Sequence, residues 1–435
     1  MKLDKKLLFR IHGWIGIKLG ILFFVVCFSG TLATLSSEID WLINPSIRAK
    51  PLPVRASKGL IVNNFHSAFP NYRLEFLLSA REPYLCDILY ASQPNGHRSY
   101  VFANPYTGKI QGEAQLTVQR YLRDLHYYLF IPFQLGHFTV LIFGFLLLFA
   151  LLTALLFYTK WYQKFFALKL RKGPLVLQRS LHRTVGLWAL PFLLLFSTTG
   201  IWYFLERTNV ANISSIANPK APKIDLSALD SAALAQRYLH LDYDRAIDSA
   251  QARIPGLEVK EISFPEGPTD VLYLTGQSQV PLVRNRANRI YLDPSNYQVL
   301  GIQRADALPM ITYLNDIADP LHFGNFGGLP TKILWFLGGL AISGLILTGL
   351  WIALRRKTKN ATQQKAAAAR RLGLRQPAPF RCCPRLYVLR FGCRIPGLLV
   401  GTALGYLLLD CPHPTGPLYF CGSAGPQFSC LSSSS

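Results

Sequence analysis

Arg10-Ile11-His12-Gly13-Trp14-Ile15-Gly16 and Leu181-His182-Arg183-Thr184-Val185-Gly186 decide how this chain is read. In each stretch a histidine opens a long apolar segment beside a basic cluster. A glycine follows one helical turn later (Gly16, Gly186), and another follows 18 residues after the histidine (Gly30, Gly200). An ionisable ring at the mouth of an apolar helix costs free energy unless it has a partner, so it is a functional candidate by default. Two such rings at equivalent places in a repeat point to one partner shared between them.

The chain has 435 residues, is 50% hydrophobic and carries a formal charge of +23. Residues 11–35, 136–158, 185–205 and 333–354 are each apolar over about the 20 residues that a bilayer requires. The fold class predicted is a membrane α-helical bundle: four transmembrane helices in a pseudo-two-fold tandem repeat, with two α+β domains between them. The expected divisions are 1–35, 36–135, 136–160, 161–183, 184–205, 206–330, 331–354 and a basic Cys- and Pro-rich tail, 355–435.

Charge sets the orientation. Residues 160–183 hold seven Lys or Arg and no acid, whereas the loops 36–135 and 206–328 together hold 21 basic and 21 acidic residues. Basic segments stay in the cytoplasm, so both termini and the short loop are expected inside and the two long loops outside. The excess positive charge then reflects topology. No nucleic-acid-binding motif accompanies it, and no nucleic-acid partner is expected. The expected surroundings are membrane lipid.

The repeat continues in the loops. Asn104-Pro105-Tyr106-Thr107-Gly108 resembles Asp293-Pro294-Ser295-Asn296-Tyr297, and Leu125-His126 resembles Leu321-His322. Asn-Pro or Asp-Pro followed by small polar residues reads as a turn between strands. Strand character is expected at 72–79, 84–91, 98–103, 257–264, 270–275 and 288–293, and helical character at 59–70 and 231–255.

Five of the nine histidines lie at helix mouths: His12 and His182 inside, and His126, His137 and His322 outside. Paired imidazoles from facing helices suit a six-coordinate haem iron. Gly16 and Gly186 would let a porphyrin approach the backbone, and Arg10 and Arg183 supply cations for propionates. A copper or zinc site is less attractive, because no carboxylate or cysteine stands beside the inner pair. A transporter would place ionisable groups at mid-membrane, where these helices are apolar apart from Ser and Thr. No nucleotide, nicotinamide or hydrolase motif is visible.

Taken together, Arg10–Gly16, Glu38-Ile39-Asp40, Asp124-Leu125-His126, Leu181–Trp188 and Leu321-His322-Phe323-Gly324 resemble the PepSY-associated transmembrane family, which includes iron-regulated membrane proteins and ferric-siderophore reductases. The resemblance covers roughly residues 5–357. It implies two periplasmic PepSY-like domains and a location in the bacterial inner membrane. It also implies haem b, expected as two groups, with His12, His126, His182 and His322 as axial ligands and His137 as a second choice for the outer haem. The implied activity is reduction of a ferric siderophore or other iron chelate, fed by a cytoplasmic or membrane electron donor. The alternative is a membrane-anchored PepSY scaffold that regulates a protease or assists iron-complex uptake without redox chemistry.

Overall fold

The computed structural model describes residues 4–169, 173–225 and 241–371. The expected tail hairpin and the first part of the expected helix 231–255 lie outside these residues. The helices are α1 (Lys5–Lys18), α2 (Gly20–Ala33), α3 (Ser36–Ile43), α4 (Lys58–Ala68), α5 (Val118–Tyr128), α6 (Phe133–Phe157), α7 (Pro174–Trp188), α8 (Leu190–Arg207), α9 (Ile213–Ala217), α10 (Tyr243–Arg253), α11 (Met310–Phe323) and α12 (Gly328–Arg371). The strands are β1 (Arg73–Leu78), β2 (Asp87–Ser92), β3 (Arg98–Ala103), β4 (Ile110–Ala114), β5 (Glu258–Ser263), β6 (Leu272–Gln277), β7 (Asn288–Leu292) and β8 (Val299–Gln303).

Among the described residues two helices, α6 and α12, are long and apolar enough to cross a membrane unbroken. The other two expected spans are bent pairs: α1 and α2 meet at 71°, and α7 and α8 at 63°. Pro191, in the first turn of α8, accounts for the second bend. It lacks an N–H, and its ring clashes with the carbonyl four residues back. The first bend falls between Lys18, which stays exposed, and Gly20, whose missing side chain admits Leu350 of α12. The apolar segments expected at 11–35 and 185–205 are thus each bent helix pairs, with His12 on α1 and His182 on α7.

The two loop domains share one antiparallel sheet, in the order β4-β3-β2-β1-β5-β6-β7-β8. The halves join where Leu77 of β1 pairs with Ile262 of β5. Both side chains are fully buried in one core, with Ile61, Phe65 and Leu89 from the first half and Leu274, Ile290 and Leu292 from the second. Helices α4 and α10 cover this core, and the Gly59 N–H donates to Asp244 at 3.1 Å between them. The repeated turns keep the same bonds: Gly108 N–H to the Asn104 carbonyl at 2.9 Å, and Tyr297 N–H to the Asp293 carbonyl at 2.8 Å. Both turns require left-handed backbone (φ +71° and +59°), and in the second half a tyrosine takes the place of the glycine.

Candidate functional site

Four histidines gather into two pairs, each with one ring from either half of the chain. The pair farther from the sheet is His12 on α1 and His182 on α7, with ring centres 6.4 Å apart and planes at 82°. The pair nearer the sheet is His126 on α5 and His322 in the last turn of α11, at 6.2 Å and 35°.

Local structure holds each of these helices. The N-terminus of α5 is capped from another element: the Asp40 carboxylate of α3 accepts from the N–H of Val118 at 2.8 Å and of Gln119 at 2.9 Å. Burial raises the pKa of Asp40, and these two backbone donors oppose the rise. Beyond α5, left-handed Leu129 and Phe130 turn the chain into α6. Helix α11 is tied to α8 by Trp202 donating to Asn315 at 2.9 Å and Tyr203 donating to Asp319 at 3.0 Å. It is tied to the sheet domain by a buried Arg284–Asp316 ion pair. Helix α12 is pinned at its start by Lys332, which bonds Glu38 at 2.6 Å and approaches Glu82 at 3.3 Å. Tyr84 donates to the same Glu38, and burial together with that carboxylate pushes its phenol pKa up.

All four rings make their hydrogen bonds through Nδ1. His12 bonds the Ala150 carbonyl at 3.0 Å and His126 the Val26 carbonyl at 2.8 Å. A carbonyl only accepts, so both Nδ1 atoms carry the proton. His182 meets Thr348 Oγ1 at 2.9 Å, and His322 meets Thr199 Oγ1 at 2.7 Å. Each threonine already directs its one hydroxyl proton at carbonyls of its own helix: Gly344 at 2.8 Å and Leu345 at 3.1 Å for Thr348, and Leu195 at 2.8 Å and Phe196 at 3.3 Å for Thr199. With its proton on a helix carbonyl, each hydroxyl is free to accept from the ring, the arrangement in which Nδ1 carries the proton. Each neutral imidazole is left with a lone pair on Nε2, the form that ligates a metal.

The spacing fits an iron between the rings. Metal–imidazole bonds of about 2 Å, with about 1.1 Å from nitrogen to ring centre, put two opposed rings about 6.2 Å apart. The glycines near the sheet-distal pair are not filled by neighbouring side chains. A Cβ added at Gly13, Gly16 or Gly344 would meet nothing within 4 Å, and at Gly186 only Leu345 at 3.7 Å. Gly30 has a different role, since a Cβ there would lie 2.7 Å from the His126 ring. Among the described residues no three His, Cys, Asp or Glu side chains cluster as a bare metal ion would need.

Of the expected cations, Arg10 is exposed and Arg183 donates to the Ala167 carbonyl. His137 makes no ring contact with His126 or His322. It is buried, stacked on Tyr127 at 4.1 Å and packed on Phe133 at 5.3 Å, and its Nδ1 has no hydrogen-bond partner among the described residues. Sequence reasoning passed over four hydroxyls behind the paired rings: Ser29, Thr153, Thr199 and Thr348. Their signal lay in the repeat, since Ser29 and Thr199 are 170 positions apart, as His12 and His182 are.

An uncharacterized protein of Pseudomonas aeruginosa is 29% identical to this chain over 148 residues, 33% of this chain and 37% of that relative. The match thus spans little more than a third of the relative's length. Residues 9–356, which hold both histidine pairs and the whole sheet, match the family described as the PepSY-associated TM region, and the chain belongs to that family.

Proposed function

We propose that this protein is a haem-containing electron carrier of the bacterial inner membrane that reduces a ferric chelate, such as a siderophore, on the sheet side. In this reading all four apolar segments cross the bilayer, with α1–α2 and α7–α8 each forming one bent span. The basic 161–183 loop and both termini lie in the cytoplasm, and the sheet lies in the periplasm, as the charge pattern favours.

The observation that carries the reading is the pair geometry: rings from opposite halves, about one iron apart, each with its Nε2 lone pair available. His12 and His182 would hold one haem b, and His126 and His322 the other. Bound there, the haems would supply one-electron chemistry. The protein's own residues fix the tautomer through Nδ1, exclude water with Phe157, Phe196 and Tyr203 packed on the rings, and keep the two sites apart. Trp335, which bonds the Leu321 carbonyl next to His322, and Thr348, which bonds His182, stand 13 residues apart on α12. That is about 20 Å of helix rise. In a hydrocarbon layer about 30 Å thick, that separation supports a reading with one pair near each face.

The test is the haem-to-protein ratio from a pyridine haemochrome assay on the wild type and on each His→Ala variant. The expected ratio is two, with His12→Ala and His182→Ala losing one haem and His126→Ala and His322→Ala losing the other. A colourless protein from haem-sufficient cells, with function unchanged in these variants, would leave the membrane-anchored scaffold as the better reading.

A further inference from the structure

Behind each of the four rings lies the same small element, a helix carbonyl followed three residues later by a buried or half-buried hydroxyl. In the first half the ring bonds the carbonyl. Ala150 O takes the His12 N–H at 3.0 Å and a share of the Thr153 hydroxyl at 3.0 Å, a hydroxyl that also meets the Phe149 carbonyl at 2.8 Å. Val26 O takes the His126 N–H at 2.8 Å and the Ser29 hydroxyl at 3.0 Å. In the second half the ring also meets the hydroxyl, and His182 keeps a bond to the Leu345 carbonyl beside it. Thr348 stands between His182 and Leu345 O, and Thr199 between His322 and Phe196 O.

Ser and Thr in apolar helices often bond back to the carbonyl three or four residues earlier. Back-bonding alone does not place such a group against an imidazole N–H at all four positions. The spacings repeat as well: Ser29 to Thr199 is 170 positions, equal to His12 to His182, and Thr153 to Thr348 is 195, beside 196 for His126 to His322.

We infer that Ser29, Thr153, Thr199 and Thr348 are positioning residues that set how strongly each imidazole donates to its iron, and that the two halves set it in opposite directions. A ring whose N–H is well accepted is more basic at Nε2. A hydroxyl that has given its own proton to a carbonyl is polarised and accepts better. Thr199 and Thr348 therefore strengthen His322 and His182. A carbonyl that also receives a hydroxyl proton shares its lone pairs, so Ser29 and Thr153 weaken the hold on His126 and His12. One second-half threonine per pair, Thr348 for His182 and Thr199 for His322, is thus a side-chain handle on that site.

This inference rests on the haem reading, and its test keeps the two apart. Redox titration of the wild type, followed by haem absorbance, should give two waves. A wild type without haem fails the haem reading itself. With both haems bound, Thr348→Val should raise the midpoint of one wave and leave the other in place, and Thr199→Val should raise the other one. Thr→Ser at either position should restore the wild-type wave, whereas Ser29→Ala and Thr153→Val should move their waves downward. Where valine costs the haem outright, its retention in the Ser variant supports the inference, and its loss there too overturns it. Unshifted waves in both Thr→Val variants, with haem retained, also overturn it.

Discussion

Replacing Gly30 with alanine should unseat one histidine and spare the other three. An added Cβ would lie 2.7 Å from Cε1 and 2.8 Å from Nδ1 of His126. Ordinary carbon contacts begin at about 3.5 Å, so the ring must retreat by roughly 0.7 Å or more. The Val26 carbonyl bond, now 2.8 Å, lies on the same edge of the ring and opens with that movement. Leaving a buried N–H without its acceptor costs about 1–3 kcal/mol. On the proposed haem reading, that is a weakening of haem affinity at the sheet-proximal pair of about 5- to 150-fold. The assay is haem content and reduced-minus-oxidised spectra at limiting and at saturating haem. On the same reading, at haem just sufficient to fill both wild-type sites, Gly30→Ala should hold one haem, and the sheet-distal signal should be unaltered. Gly13→Ala, where a Cβ meets nothing within 4 Å, should keep the sheet-proximal haem. Equal affinity at both sites in Gly30→Ala would refute the assignment of Gly30 as the seat of the His126 ring.

The sheet domain and its junction with the helices give four further predictions. Leu77→Ala at the β1–β5 seam should cost about 2–4 kcal/mol and lower the stability of both halves in a single transition, seen by chemical denaturation with limited proteolysis; loss of the first half alone would mean that the domains fold separately. Gly108→Ala meets left-handed φ and Leu60 at 3.0 Å and should destabilise by about 1–2 kcal/mol. Tyr297→Gly should also destabilise, because relief of the same strain is outweighed by losing a buried ring and the 2.6 Å bond between its hydroxyl and the Asp242 N–H, as thermal melts would register. Because the pKa of Asp40 is raised by folding, the folded chain binds its proton more tightly and stability should fall as pH rises from the ordinary value of 3.8 through the shifted one; Asp40→Asn should flatten that part of the melting curve.

The long apolar runs and the paired histidines were legible because both signals are local. A run of apolar residues needs no partner to be recognised, and a polar ring in such a run stands out by its cost. Strand 98–103 coincides with its expected bounds, since the consecutive aromatic and β-branched residues Tyr100-Val101-Phe102 mark a buried pleated element wherever it lies. Strands β4 and β8 were passed over because Ile110-Gln111-Gly112-Glu113-Ala114 and Val299-Leu300-Gly301-Ile302-Gln303 are half-exposed edges, made strands mainly by pairing with β3 and β7. The bend at Ala189 had a visible cause in Pro191, whereas the bend after Lys18 has no proline and is set by packing against Leu350. The hydroxyls behind the rings look like any back-bonding Ser or Thr until the imidazoles are in place.

The single sheet bears on function more than its composition suggests. Helix α5 follows β4, and α11 follows β8, the two outermost strands of the eight. Seven strand gaps of about 4.8 Å separate those edges by about 34 Å. Yet His126 and His322, carried by these helices, lie 6.2 Å apart. Both helices must therefore turn back beneath the sheet, and the anchors seen on each serve that return: Asp40 capping α5, and Arg284 with Asp316 holding α11. A duplicated domain that stayed as two separate sheets would leave those two helices free to drift independently. Joining β1 to β5 turns the two loops into one rigid spacer. The pairing of the sheet-proximal rings is thus a property of the seam at Leu77 and Ile262 as much as of the rings themselves.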